Sequence, residues 1–179
     1  MVWYRMKKRL TIVYTGNGKG KSTAAFGLLF RAKGHQLRCG VLQFIKSKPE
    51  HWGEYKMAKS LDIPWENYGC GFTWKQEDPG PTIAEVKAGW NRAQEWIESG
   101  NFDLIILDEL TYPLIEKWLD LSLVVSYLQA LSAVAPHIVI TGRNAPEELI
   151  ACADTAARIQ NIHHHFDIKK TAAQKGIEF

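Results

Sequence analysis

The 179-residue chain predicts an α/β fold with a mostly parallel sheet, and its length suits one domain with a sizeable core. Three observations predict this. Apolar strand-like runs alternate with helix-period patterns, the arrangement that builds parallel sheets through crossover helices. The run Leu10-Thr11-Ile12-Val13-Tyr14 leads into the glycine-rich Thr15-Gly16-Asn17-Gly18-Lys19-Gly20-Lys21-Ser22-Thr23 and then into helix-like Ala24-Ala25-Phe26-Gly27-Leu28-Leu29. That strand–loop–helix order with Lys-Ser at the junction is the layout of a P-loop. Two later apolar runs end in charged tips, as buried strands do where their carboxyl ends line a ligand edge.

In chain order, strands are predicted near 10–15, 38–44, 64–69, 103–108 and 137–141, with a weaker one near 155–160. Helices are predicted near 21–33, 52–60, 81–99, 111–118, 121–134 and 146–151. The 81–99 helix has the plainest signature: Ile83, Val86, Trp90, Ala93 and Ile97 recur at helical spacing and Gly100 follows as a stop. Trp90, Trp96 and Trp118 fit core positions rather than ligand sites. No repeat, low-complexity tract or Pro/Gly-rich linker divides the chain, so residues 1–179 read as a single domain.

Charged residues make up 23% and the hydrophobic class 46%, the balance of a soluble globular protein. A formal charge of +3 gives no argument for nucleic acid, and Arg5, Lys7, Lys8 and Arg9 read as a solvated entry to the first strand. No run reaches the apolar length of a membrane span, and no signal-peptide core is visible. Cys39, Cys70 and Cys152 are odd in number, far apart and lack C-x-x-C spacing, which predicts reduced thiols in a cytoplasmic protein. Cys39 and Cys152 belong to apolar segments; Cys70, between two glycines, suits a surface loop.

The loop carries the first chemistry. Glycines let backbone N–H groups curl around phosphate without Cβ clashes. The helix N-terminus adds unpaired donors and the positive end of its dipole. Lys21 supplies a charge for the terminal phosphates, and Ser22 a hydroxyl for Mg²⁺. Thr15 departs from the common pattern, which has Gly there, so a changed entry turn is expected. A dinucleotide fingerprint does not fit: the third Gly comes one residue too early, and no acid ends the next apolar run to hold a ribose.

Leu104-Ile105-Ile106-Leu107-Asp108-Glu109 reads as a buried strand with two carboxylates at its tip, beside the metal of a P-loop site. Spacing leaves open whether Asp108 or Glu109 is the direct ligand. Ile138-Val139-Ile140-Thr141-Gly142-Arg143 places a guanidinium at the same edge, where it can fork onto phosphate oxygens. Gly69-Cys70-Gly71-Phe72-Thr73-Trp74 sets two aromatics in a loop, which suits either binding or a hydrophobic plug. His163-His164-His165 is adjacent rather than at metal-ligand spacing, and reads as structural or surface.

Taken together, these segments resemble the P-loop-type ATP:corrinoid adenosyltransferases, which act on cob(I)alamin or cob(I)yrinic acid a,c-diamide. The matching stretches are YTGNGKGKSTAAFG at 14–27, RAKGHQLRCGVLQFIK at 31–46, GFTW at 71–74, LDELTYPL at 107–114, ITGRNAPEEL at 140–149 and AAQKGIEF at 172–179. They run nearly end to end in order, and GFTW and the terminal AQKGIEF are not general P-loop features. The resemblance implies a RecA-like, three-layer P-loop NTPase sandwich. It implies that a Co(I) corrinoid attacks the 5′ carbon of ATP and triphosphate leaves, with ATP reversed on the loop.

By the same resemblance, Asn17, Gly18, Lys19, Gly20, Lys21, Ser22 and Thr23 hold the triphosphate and Arg143 contacts phosphate. Ser22 and Glu109 bind Mg²⁺, with Asp108 as alternate or supporting carboxylate. Phe72 and Trp74 displace the lower axial ligand of the Co(II) corrinoid. Gln174 and Lys175 lie in the matched C-terminal motif without an assigned role. A reduced flavoprotein as electron donor and a homodimer are implied partners, and no nucleic acid or membrane is expected. Family members carry a longer N-terminal extension over the site; here Trp3 and Tyr4 as a reduced lid, a partner subunit, or a more open site are the alternatives.

Three other readings compete. A RecA-like P-loop ATPase would use Asp108-Glu109 as metal ligand and general base and release ADP and phosphate; it also wants a basic stripe that the charge balance lacks. A small-molecule kinase wants an arginine-rich lid, and no such cluster is seen. A non-catalytic carrier does not need the intact Lys21-Ser22 and Asp108-Glu109 pairs.

Overall fold

The computed structural model describes residues 8–46, 52–69, 71 and 78–178. Six strands form one sheet: β1 (Thr11–Thr15), β2 (Cys39–Phe44), β3 (Trp65–Tyr68), β4 (Leu104–Asp108), β5 (His137–Thr141) and β6 (Thr155–Arg158). Their order is β3-β2-β4-β5-β1-β6, and every pairing is parallel. The helices are α1 (Lys21–Gly34), α2 (Gly53–Ser60), α3 (Gly80–Glu98), α4 (Thr111–Ile115), α5 (Leu121–Ala130), α6 (Glu147–Cys152) and α7 (His165–Lys169).

Strand alternation divides the core between the two faces of the sheet. Leu104, Ile106, Val139, Cys39 and Val41 meet Ala25, Phe26, Leu29 and Ala32 of α1 and Ala58 of α2. Ile105, Leu107, Ile138, Ile140, Leu42 and Phe44 meet Val86, Trp90, Ala93, Trp96 and Ile97 of α3, with Val124 and Leu128 of α5 and Leu149 of α6. Because both faces are covered, the central strands are continuously apolar, as parallel sheets require. The three-layer arrangement expected from the sequence is therefore present, and Trp90 and Trp96 lie in its core.

Several boundaries differ from expectation. α5 ends at Ala130, because Leu131 is extended (ψ 136) and Val134 beyond it is 81% exposed, with no face to bury. α4 ends at Ile115, and Lys117 takes a left-handed φ of 58. α7 was not expected: its five residues bury nothing, so they carry no hydrophobic period to read. Among the described residues, no helix is long and apolar enough to cross a membrane.

Candidate active site

Register brings the chemical residues to one edge. Tyr14 pairs with Thr141, Leu107 with Ile140, and Gln43 with Asp108, so the carboxyl ends of β1, β5, β4 and β2 finish together. β5 lies between the loop-bearing β1 and the acid-bearing β4. Its terminal Thr141 thereby falls between the phosphate loop and the two carboxylates.

The loop from Gly16 to Gly20 turns from β1 into α1. Thr15, where Gly is common, is buried and accepts a hydrogen bond from the Ala145 amide at 2.9 Å. The left-handed turn is made one residue later, by Gly16 at φ 101. A Cβ there would lie 2.3 Å from the Ile159 carbonyl oxygen, so only glycine fits. The changed entry turn expected from Thr15 has this form. Behind the loop, the Gly18 amide donates to the Ile159 carbonyl (2.9 Å) and the Lys19 amide to Asn161 Oδ1 (2.9 Å). Lys21 Nζ donates to the Gly18 carbonyl at 2.7 Å. Burial holds the Lys21 ammonium below its ordinary pKa; Glu109 and Asp108 oppose that shift, and Arg143 and Lys46 add to it.

Asp108 and Glu109 separate in role. Asp108 is fully buried and accepts from Thr141 Oγ1 (2.6 Å), Gln43 Nε2 (2.6 Å) and Lys46 Nζ (3.2 Å), and the Ser22 hydroxyl bonds it as well. Burial alone would raise its pKa, but the Lys46 charge and these bonds outweigh it and hold the carboxyl low. Glu109 keeps its side chain 21% exposed toward the cavity, and burial followed by the Asp108 charge pushes its pKa up. Its backbone is left-handed at φ 61, and its amide donates to Thr141 Oγ1 at 3.0 Å. Asp108 thus anchors the site from beneath while Glu109 faces the ligand space.

Three contributors were not read from the sequence. Lys46 lies 3.8 Å from Glu109 as well as on Asp108, with its ammonium 5.2 Å from the Trp52 ring centroid. Burial acts to lower its pKa, but the two carboxylates outweigh burial and hold it above the ordinary value. Asn67 Nδ2 donates to Gln43 Oε1 (2.8 Å), so a polar chain Asn67–Gln43–Asp108–Thr141 crosses four strands beneath the site. Gln43 was the available signal: a lone amide in the apolar run Val41-Leu42-Gln43-Phe44, which must find partners when buried.

Asn17, Gly18, Lys19, Gly20, Lys21, Ser22, Thr23, Glu109 and Arg143 line one cavity of about 430 Å³, joined by Lys46, Trp52 and the tail residue Glu178. Arg143 is exposed there, its carbonyl held by Thr111 Oγ1 at 2.7 Å. The donor set of Ser22, Asp108 and Glu109 is hard oxygen, which suits Mg²⁺. The same carboxylates already hold one cation, the Lys46 ammonium. The residues present therefore fit that ion.

Phe72, Trp74, Cys70, Trp3 and Tyr4 lie outside the described residues. Cys39 is buried and Cys152 half-buried, both as free thiols. His164 and His165, expected to be structural or surface, reach the phosphate loop's neighbourhood through Glu178, at 4.0 and 3.5 Å.

Comparison with known proteins agrees with this geometry. The profile of the family described as ATP:corrinoid adenosyltransferase BtuR/CobO/CobP matches residues 7–179. A corrinoid adenosyltransferase of Sinorhizobium sp is 37% identical over 97% of this chain and 81% of its own length. One from Pseudomonas aeruginosa is 37% identical over 98% and 86%, and one from Escherichia coli K12 36% over 97% and 87%. In structure, the flagellar accessory protein FlaH of Methanocaldococcus jannaschii superposes with a TM-score of 0.57, covering 86% of this chain and 72% of its own. Identity to FlaH is 13%, so that likeness speaks for the fold alone.

Proposed function

The chain belongs to the ATP:corrinoid adenosyltransferase family, and from that premise we propose that it transfers the 5′-deoxyadenosyl group of ATP to the cobalt of a Co(I) corrinoid, releasing triphosphate. The observation that carries this reading is that the family match spans residues 7–179, phosphate loop and strand-tip acids included.

The reaction forms a cobalt–carbon bond and breaks the bond from C5′ to the triphosphate oxygen, which leaves with the electron pair. Co(I) is itself a strong nucleophile, so no general base is required. The protein's task is to orient C5′ and to stabilise charge gathering on the leaving triphosphate. Lys21, the amides of Gly20 to Thr23 and the Arg143 guanidinium are the donors this reading assigns to that charge, since the Gly18 and Lys19 amides are already bonded behind the loop. Lys21 is now spent on the Gly18 carbonyl and needs only to turn toward phosphate. Ser22 and Glu109 would ligate Mg²⁺, with Asp108 orienting the Ser22 hydroxyl beneath them. That ion would neutralise charge on the triphosphate.

Phe72 and Trp74, by the family pattern, act on the Co(II) form. Removing its lower axial ligand lowers the orbital that accepts the electron and eases reduction to Co(I). A reduced flavoprotein as donor and a homodimeric state belong to the same reading.

The test is an anaerobic assay with ATP, Mg²⁺ and chemically reduced cob(I)alamin, following cobalt alkylation optically and identifying the phosphate product. One triphosphate per adenosylcobalamin is expected, with turnover lost in Lys21→Ala. Phe72→Ala and Trp74→Ala are expected to fail from Co(II) while retaining activity with supplied Co(I). ADP and phosphate without alkylation would instead make the protein a RecA-like ATPase.

A further inference from the structure

The C-terminal tail reaches the phosphate loop. The Gln174 carbonyl accepts from the amides of Ile177 (3.1 Å) and Glu178 (2.9 Å), closing a turn that contains Gly176 at φ 81. This turn sets the Glu178 carboxylate in the wall of the triphosphate cavity, its side chain 17% exposed. There Glu178 Oε1 accepts from Lys19 Nζ at 2.6 Å. His165 Nε2 stands 3.5 Å and His164 Nε2 4.0 Å from the same oxygen. The two imidazoles stack, with ring centroids 4.4 Å apart.

The ligand atoms of His164, His165 and Glu178 lie within 4.8 Å of one another, which invites a metal reading. Proton placement argues against it. His164 Nδ1 accepts from the Phe166 amide at 3.2 Å, so in neutral His164 the proton sits on Nε2, the atom facing Glu178. A metal would need that nitrogen bare. The cluster is therefore centred on an anion: Lys19 Nζ donates to one carboxylate oxygen, and the two imidazole Nε2 atoms face that oxygen at 3.5 and 4.0 Å.

Lys19 is a residue of the phosphate loop, and its backbone is fixed by Asn161. Its side chain is left a choice between Glu178 and whatever anion fills the cavity. We propose that Glu178 is a built-in counter-anion that positions Lys19 in the free protein and surrenders it to the triphosphate of ATP, so that the tail sets nucleotide affinity. This rests on the reading that the loop binds triphosphate. When Lys19 turns to phosphate, Glu178 keeps the imidazoles of His164 and His165 as neighbours, 4.0 and 3.5 Å away. Breaking the ion pair opposes binding by what an exposed pair is worth, a factor of about two to five in affinity.

The experiment is calorimetric titration of ATP, and separately of inorganic triphosphate, into full-length protein with Mg²⁺ present. It compares the unaltered chain with Glu178→Gln, Lys19→Gln and the double variant. Glu178→Gln is expected to tighten both ligands about two- to five-fold. In the Lys19→Gln background, itself weaker, the same change is expected to do nothing. Unchanged or weaker binding by Glu178→Gln would overturn the proposal, because the tail would then be a wall or a contact of the bound nucleotide. Tightening that persists without Lys19 would overturn it too, reducing the effect to through-space repulsion. Failure of the unaltered protein to bind either ligand would overturn the triphosphate reading of the loop, and this inference with it.

Discussion

Glu109 is the residue where local stability and chemistry pull apart. A left-handed φ of 61 in a residue with a Cβ is disfavoured by about 1 kcal/mol or more. It persists because its amide is held by Thr141 Oγ1 and its carbonyl accepts from the Tyr112 amide at 3.3 Å. The bend takes the chain out of strand geometry directly after Asp108, so consecutive carboxylates serve different places, one beneath the site and one facing the cavity. Glu109→Gly would remove both the strain and a carboxylate crowded against Asp108. In urea unfolding it is expected to be more stable than Glu109→Gln by about 1 kcal/mol, while both lose Mg²⁺-dependent turnover. Equal stability of the two would mean the backbone at 109 is relaxed. The carboxylates and Arg143 were legible in the sequence because they follow apolar runs, where the strand period makes a charged residue conspicuous, and Lys21 and Ser22 because they close a glycine-rich loop between a strand and a helix. Lys46 was less so: it follows Phe44 and Ile45, and its value comes from β2 lying beside β4, a neighbour relation no local pattern contains.

At the scale of elements, the end of β5 and the start of α4 act as one part. Thr141 bonds Asp108 and the Glu109 amide, and Thr111 at the first position of α4 bonds the Arg143 carbonyl. Gly142 joins them at φ 146, and a Cβ there would fall 1.9 Å from Oγ1 of Thr111, a fully buried residue whose hydroxyl is held by the Arg143 carbonyl. Gly142→Ala is therefore expected to lose about 1–3 kcal/mol of stability and to shift Arg143, weakening ATP affinity as well. Thermal unfolding and ATP titration of the same preparation check both; a variant that binds ATP normally would detach Arg143 from the site. Long elements with one apolar face, such as α3, were placed from the sequence to within a residue or two. α7 escaped because it buries nothing, and the ends of α4 and α5 because a backbone turn there precedes the end of the apolar pattern.

At the scale of the whole molecule, the sheet order couples the site to both core layers. β1 and β4 flank β5, and the residues of each strand alternate between the α1 layer and the α3 layer. The loop is also tied backward, through Gly18 and Lys19, to the segment after β6. Anchoring triphosphate on the loop should therefore stabilise the sheet as a unit rather than one part of it. A ligand that binds only the native state at a hundred times its dissociation constant adds about 2.7 kcal/mol. For a chain of this length that corresponds to a rise of about 5–10 °C in melting temperature. With saturating Mg²⁺ and ATP, far-ultraviolet circular dichroism and tryptophan fluorescence are expected to report one coincident transition, moved upward together. Lys21→Ala should leave the ligand-free transition in place and remove most of the rise. Two separated transitions would mean that the chain folds as more than one cooperative unit, and a rise that survives in Lys21→Ala would mean that nucleotide is held elsewhere than on this loop.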